Sequence, residues 1–173
     1  MRLALQKITA YIAAFVLLAA NTPAHAQSAS GANEADLKEV YAYSLSMDKI
    51  TKIVNITNAL KDWTSNNPQV SQSMDSENSI QAGTFSDRAK AMEAKFPQAA
   101  EVIRKNGMPV REYMVAFTVV IAASMLVKAK KSGQIQDYSK AAGFVSEANL
   151  NFVEQHWDAV EKLTMDVPLP EAK

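Results

Sequence analysis

Hydrophobic positions run unbroken through one stretch of this chain and recur at helical spacing in the stretches around it. From Tyr113 to Val127 the residues are Tyr-Met-Val-Ala-Phe-Thr-Val-Val-Ile-Ala-Ala-Ser-Met-Leu-Val, 15 in a row without a charge. Arg111 and Glu112 precede them, and Lys128, Lys130 and Lys131 close them before Gly133. A helix that is apolar on every side has no face to offer water, so other elements must surround it or a membrane must. Crossing the hydrocarbon layer takes roughly 20 apolar residues, and a shorter run is more often a buried core helix. The pattern therefore predicts a central helix between Gly107 and Gly133. Its end charges match the helix dipole, with Glu112 near the positive end and the lysines near the negative one. Those lysines need no nucleic-acid or lipid partner.

Around this post the apolar positions are periodic. After Ser46, a good N-cap with Asp48 in the first turn, Ile50, Ile53, Val54, Thr57 and Leu60 recur at three-and-four spacing, and Trp63 falls at the rim. Thr84 and Asp87 have capping-box spacing at the head of a helix running to about Lys95. Phe96-Pro97 breaks it, because proline disfavours helical geometry in the residue before it and suits the first turn of a new helix. That next helix, Pro97 to Asn106, turns Ala100, Val102 and Ile103 inward and ends at Gly107 in the left-handed cap position. Ser146 caps the last helix, where Leu150, Val153, Trp157, Val160 and Thr164 form a stripe that Phe152, Ala159 and Leu163 widen. His156 lies inside that apolar arc. Residues 36–45 fit a helical face and an extended alternation equally well. Thr64 to Thr84 is polar, with Val70, Met74 and Ile80 as its sizeable apolar residues, and reads as a mobile insertion or a functional flap. The expected fold is all-α: a single-domain bundle of about five helices around the central apolar one, spanning residues 36–166 with a tail at 167–173.

The first 26 residues read as an export signal rather than as structure. Arg2 and Lys7 form a positive start, Ile8 to Ala20 an apolar core, and Ala24-His25-Ala26 a small-x-small cleavage site. The mature chain is then expected to begin at Gln27, with a flexible small-residue leader over 27–35, no further membrane span, and a periplasmic or secreted location. Loss of Arg2 and Lys7 leaves 16 basic against 18 acidic residues, a net charge of −2, too small to imply a polyanion partner. Cysteine is absent, so disulfides, thiol catalysis, cysteine-ligated metals, lipoprotein anchoring and c-type haem attachment all drop out.

Gly107-Met108-Pro109-Val110-Arg111-Glu112-Tyr113, between a proline-started helix and the apolar helix, resembles the Gly-hydrophobic-Thr-Pro-Arg-Glu-Tyr junction of an uncharacterised family of exported bacterial all-helical proteins. Tyr43-Ser44-Leu45-Ser46-Met47-Asp48-Lys49-Ile50 is similar to the start of their first helix. The chain departs from that pattern in placing Pro109 where Thr would cap. The resemblance implies a helical fold and export. It brings no activity and no site residues.

His156 is the sole histidine after the cleavage site and the residue that invites chemistry, as general base or as metal or haem ligand. Zinc usually takes several His, Cys or carboxylate ligands, and on a helix Glu154 and Asp158 point away from His156. No strand-turn-helix setting for a nucleophilic serine is present. Haem between His156 and a distant Met47, Met114 or Met125 is the cofactor reading; a structural histidine is the plainer one. The sequence thus points to no cofactor, no metal and no catalytic set. It favours a non-enzymatic binding or interaction protein of the cell envelope, contacting an envelope partner through the 64–84 loop and Trp63. The alternative is a carrier of an apolar small molecule or haem near His156.

Overall fold

The structure is a computed structural model and describes residues 34–70, 83–138 and 144–164. The expected signal segment, most of the leader and of the 64–84 loop, and the 167–173 tail lie outside the described residues. Seven helices are described: α1 Glu34–Ala42, α2 Met47–Asn66, α3 Phe85–Lys95, α4 Pro97–Lys105, α5 Val110–Lys131, α6 Glu147–Gln155 and α7 Trp157–Thr164. The all-α class expected from the pattern is what the described residues show.

The apolar helix α5 packs against all six of the others. Successive residues on a helix point about 100° apart, so three in a row sample most of its circumference. Val119, Val120 and Ile121 are each 0% exposed, and α5 is enclosed on every side. It runs for 22 residues, longer than its apolar run, because Val110 to Glu112 and Lys128 to Lys131 are helical as well. By length and composition α5 is able to cross a membrane, but most of its apolar stretch is buried under the neighbouring helices.

Local signals set most of the helix ends. Ser46 caps α2 by accepting the Lys49 N–H, and Ser146 caps α6 by accepting that of Asn149. Thr84 and Asp87 form a complete capping box on α3, each side chain accepting the other's backbone N–H. Removal of such a cap costs about 1 kcal/mol, so Thr84→Ala is expected to lower the unfolding free energy by about that much, read from the denaturant midpoint. Pro97 opens α4, and Gly107 follows it at φ +88°, the left-handed geometry that favours glycine. Pro109 begins α5 without a side-chain cap, as its lack of a hydroxyl dictates.

The structure settles the open segment and departs from the sequence expectations at two places, the end of α2 and the last helix. The open segment 36–45 divides, α1 ending at Ala42 and a non-helical connection following to Ser46. α2 continues through Thr64 to Asn66, so the polar loop starts later than expected. Thr64 is buried and Asn67 donates its amide to the Trp63 carbonyl, which together carry the helix that extra turn. Trp63 packs partly buried against the core, as its place at the rim of the stripe implies. Finally, the last helix is two: the backbone leaves helical geometry at His156, with φ −110° and ψ 29°. Leu150, Val153, Trp157 and Val160 nonetheless all reach the core, as the stripe predicts.

Candidate functional site

The break at His156 changes that residue's setting. It closes α6, its N–H donating to the Phe152 carbonyl and its ring 4.6 Å from the Phe152 ring, and it is half-buried rather than inside an apolar arc. A continuous helix would have carried it inward with the stripe; the break at this residue removes that constraint. Beside it lies an open hollow of about 380 Å³ lined by Lys131, Glu154, Gln155, His156, Trp157, Asp158 and Ala159. Glu154 is already engaged: Lys130 Nζ donates to both its oxygens at 3.0 Å, and the Tyr138 hydroxyl donates at 3.1 Å. Those bonds hold its carboxyl below the ordinary range, the Lys130 bond most of all. Among the described residues no group of three His, Cys, Asp or Glu side chains can hold a metal ion. Of the three methionines considered as distant haem ligands, Met47 is exposed at the head of α2, while Met114 and Met125 pack against the core.

The denser polar cluster is at the other end of α5, in the junction that the sequence presents as a helix start. Three consecutive side chains there reach four different parts of the fold. Arg111 grips Glu39 of α1 with both terminal nitrogens while its Nε donates to Ser86 Oγ of α3 at 2.9 Å. Glu112 accepts the Tyr43 hydroxyl at 3.2 Å, and Lys49 sits over the Tyr43 ring at 4.1 Å. Burial first, and then the Glu112 carboxylate, push Tyr43 above the ordinary tyrosine range. Tyr113, buried, pairs its hydroxyl with Thr57 Oγ1 of α2 at 3.4 Å. The fan is a consequence of the helix: residues 100° apart that precede an all-buried run must each face a different wall.

Two further buried polar groups join distant parts of the chain. Asp36 of α1 accepts the Phe85 N–H at 2.9 Å and an Arg88 guanidinium nitrogen at 3.3 Å, so a carboxylate from another helix serves the head of α3. Asn149 of α6 accepts the Leu45 N–H at 2.9 Å and donates to the Tyr43 carbonyl at 2.6 Å, fixing the α1–α2 connection. Each of these interactions ties one helix to another or to the α1–α2 connection. Among the described residues of this cluster, the polar groups face different walls of the bundle rather than one cleft.

Tyr113 gives the cluster a pH signature. Burial pushes its hydroxyl up to about 12, opposed weakly by the Thr57 bond. A folded pKa raised above the unfolded value of about 10 means stability fully present below pH 10 and lost as pH rises through about 12. That difference corresponds to about 3 kcal/mol, so helicity followed by circular dichroism is expected to fall across that window together with phenolate absorbance. Tyr113→Phe is expected to shift the loss upward.

Comparison with protein-family models, with curated proteins and with solved structures finds no match to this chain. The likeness of the 107–113 junction therefore stays a resemblance, and the chain is placed in no family.

Proposed function

We propose that this chain is an exported, single-domain helical bundle that works as a non-enzymatic binding or interaction protein of the cell envelope. The observation that carries the reading is the fate of the polar side chains at Arg111, Glu112 and Tyr113, which tie α5 to neighbouring helices and to the α1–α2 connection instead of facing a common cleft. Export rests on the charged start, apolar core and Ala24-His25-Ala26 site of the first 26 residues. With Trp63 partly buried against the core, the contact surface is assigned to the polar segment that follows α2 together with Tyr41 and Met47. These two large apolar side chains, 50% and 41% exposed, flank the α1–α2 connection.

The carrier alternative draws on the hollow beside His156, but that hollow is open and mostly polar in its lining residues. A side chain lining an internal space large enough for water would register exposure to it, yet Val119, Val120 and Ile121 have none and Phe117 has 3%. These observations favour the interaction reading.

Photo-crosslinking in the exporting cell tests it, with the reactive residue placed at Tyr41 and, as control, at the exposed Gln98 of α4. The expected result is one discrete adduct from position 41 that is absent from position 98. Equal or no adducts from both would count against this surface.

A further inference from the structure

We propose that α1 is a releasable strap, a short helix latched to the head of α3 and to α5 by two carboxylate–guanidinium contacts, which detaches while the rest of the fold stays formed. Its attachment differs in kind from that of α5. Of its nine residues, Val40 is the one buried apolar side chain, and the other buried residue is Asp36. Tyr41 is half exposed, and Lys38 and Glu34 pair with each other along the helix, which does not hold it to anything else. Attachment therefore falls largely on two side chains one helical turn apart. Asp36 engages Phe85 N–H and Arg88, and Glu39 engages Arg111.

The receiving side is built independently of the strap. The Phe85 N–H belongs to a helix start already capped by Thr84 and Asp87, and Arg111 is steadied by its own bond to Ser86. When α1 leaves, its cradle persists. A nine-residue helix is marginal on its own in water, so leaving the cradle and losing helical structure are one event. The root of the strap is fixed as well: just beyond Ala42, Asn149 holds the Tyr43 carbonyl and the Leu45 N–H, and Glu112 holds the Tyr43 hydroxyl. Opening stops at Tyr43.

The two latches also differ from each other. Asp36 and Arg88 are 5% and 13% exposed, whereas Glu39 and Arg111 are 29% and 46% exposed and face solvent enough for salt to screen them. The outer latch is the one that conditions can loosen.

Amide hydrogen exchange on the intact chain, resolved by peptide, tests the strap. The α1 amides are expected to exchange at least about tenfold faster than those of α2 and α5, through an opening that does not involve the whole fold. Arg111→Gln, which removes the outer latch, is expected to speed α1 exchange by a further factor of about ten while leaving α2 and α5 unchanged. Should that variant fail to fold, 0.5 M NaCl on the wild-type chain gives the same readout through screening. Exchange of α1 only at the rate of α5, equal acceleration of all helices, or no change in α1 on loosening the latch would each overturn the proposal.

Discussion

Truncation of Val119, Val120 or Ile121 to alanine, one at a time, is expected to destabilise the fold at all three positions. Ile121→Ala should cost about 2 to 5 kcal/mol, transfer and cavity terms together, and each valine on the order of 2 kcal/mol. The reason is geometric. The three side chains point in directions 100° apart, and each is fully buried. A helix that buries one face would lose stability at one or two of these positions and shrug off the third. Denaturant midpoints for the three variants, at unchanged slope, distinguish an enclosed post from an amphipathic helix. One near-neutral position would show that α5 has an open side.

Asn149→Leu is expected to cost roughly 2 to 4 kcal/mol, although it keeps the branched shape and adds apolar surface to the core. The side chain is 2% exposed and bridges Leu45 N–H and Tyr43 C=O. Leucine leaves both backbone groups unpaired in a part-buried place, and an unmet hydrogen-bonding group costs more than a made one contributes. A thermal or denaturant melt measures the loss. Because the same residue roots the α1–α2 connection, exchange protection of Leu45 should fall along with it.

The same two predictions mark what the sequence makes legible. The post was readable because an uninterrupted apolar run has one physical solution. The helix starts at Ser46, Thr84, Pro97 and Ser146, and the stop at Gly107, were readable because each cap lies within a few residues of the groups it satisfies. Asn149 and Asp36 were not, since their partners lie far along the chain and only the tertiary fold brings them together. Polar residues on short helices look solvated until the neighbouring wall is known. The break at His156 carries neither glycine nor proline to announce it. The stripe of Leu150, Val153, Trp157 and Val160 runs through the break, so periodicity reads as one helix. Half of the junction was visible: Arg111, Glu112 and Tyr113 looked like terminal residues of a helix. That they fan to α1, α3, α2 and the α1–α2 connection follows once the helix behind them is known to be buried all round.

Native mass spectrometry of the protein recovered gently from the cell that makes it, read beside its denatured mass and its visible spectrum, tests the functional account most directly. The account predicts a chain beginning at Gln27 with no small molecule attached and no haem band, with any added mass that of a partner protein. A small mass released on denaturation, or haem absorption, would contradict it and turn attention to the hollow beside His156.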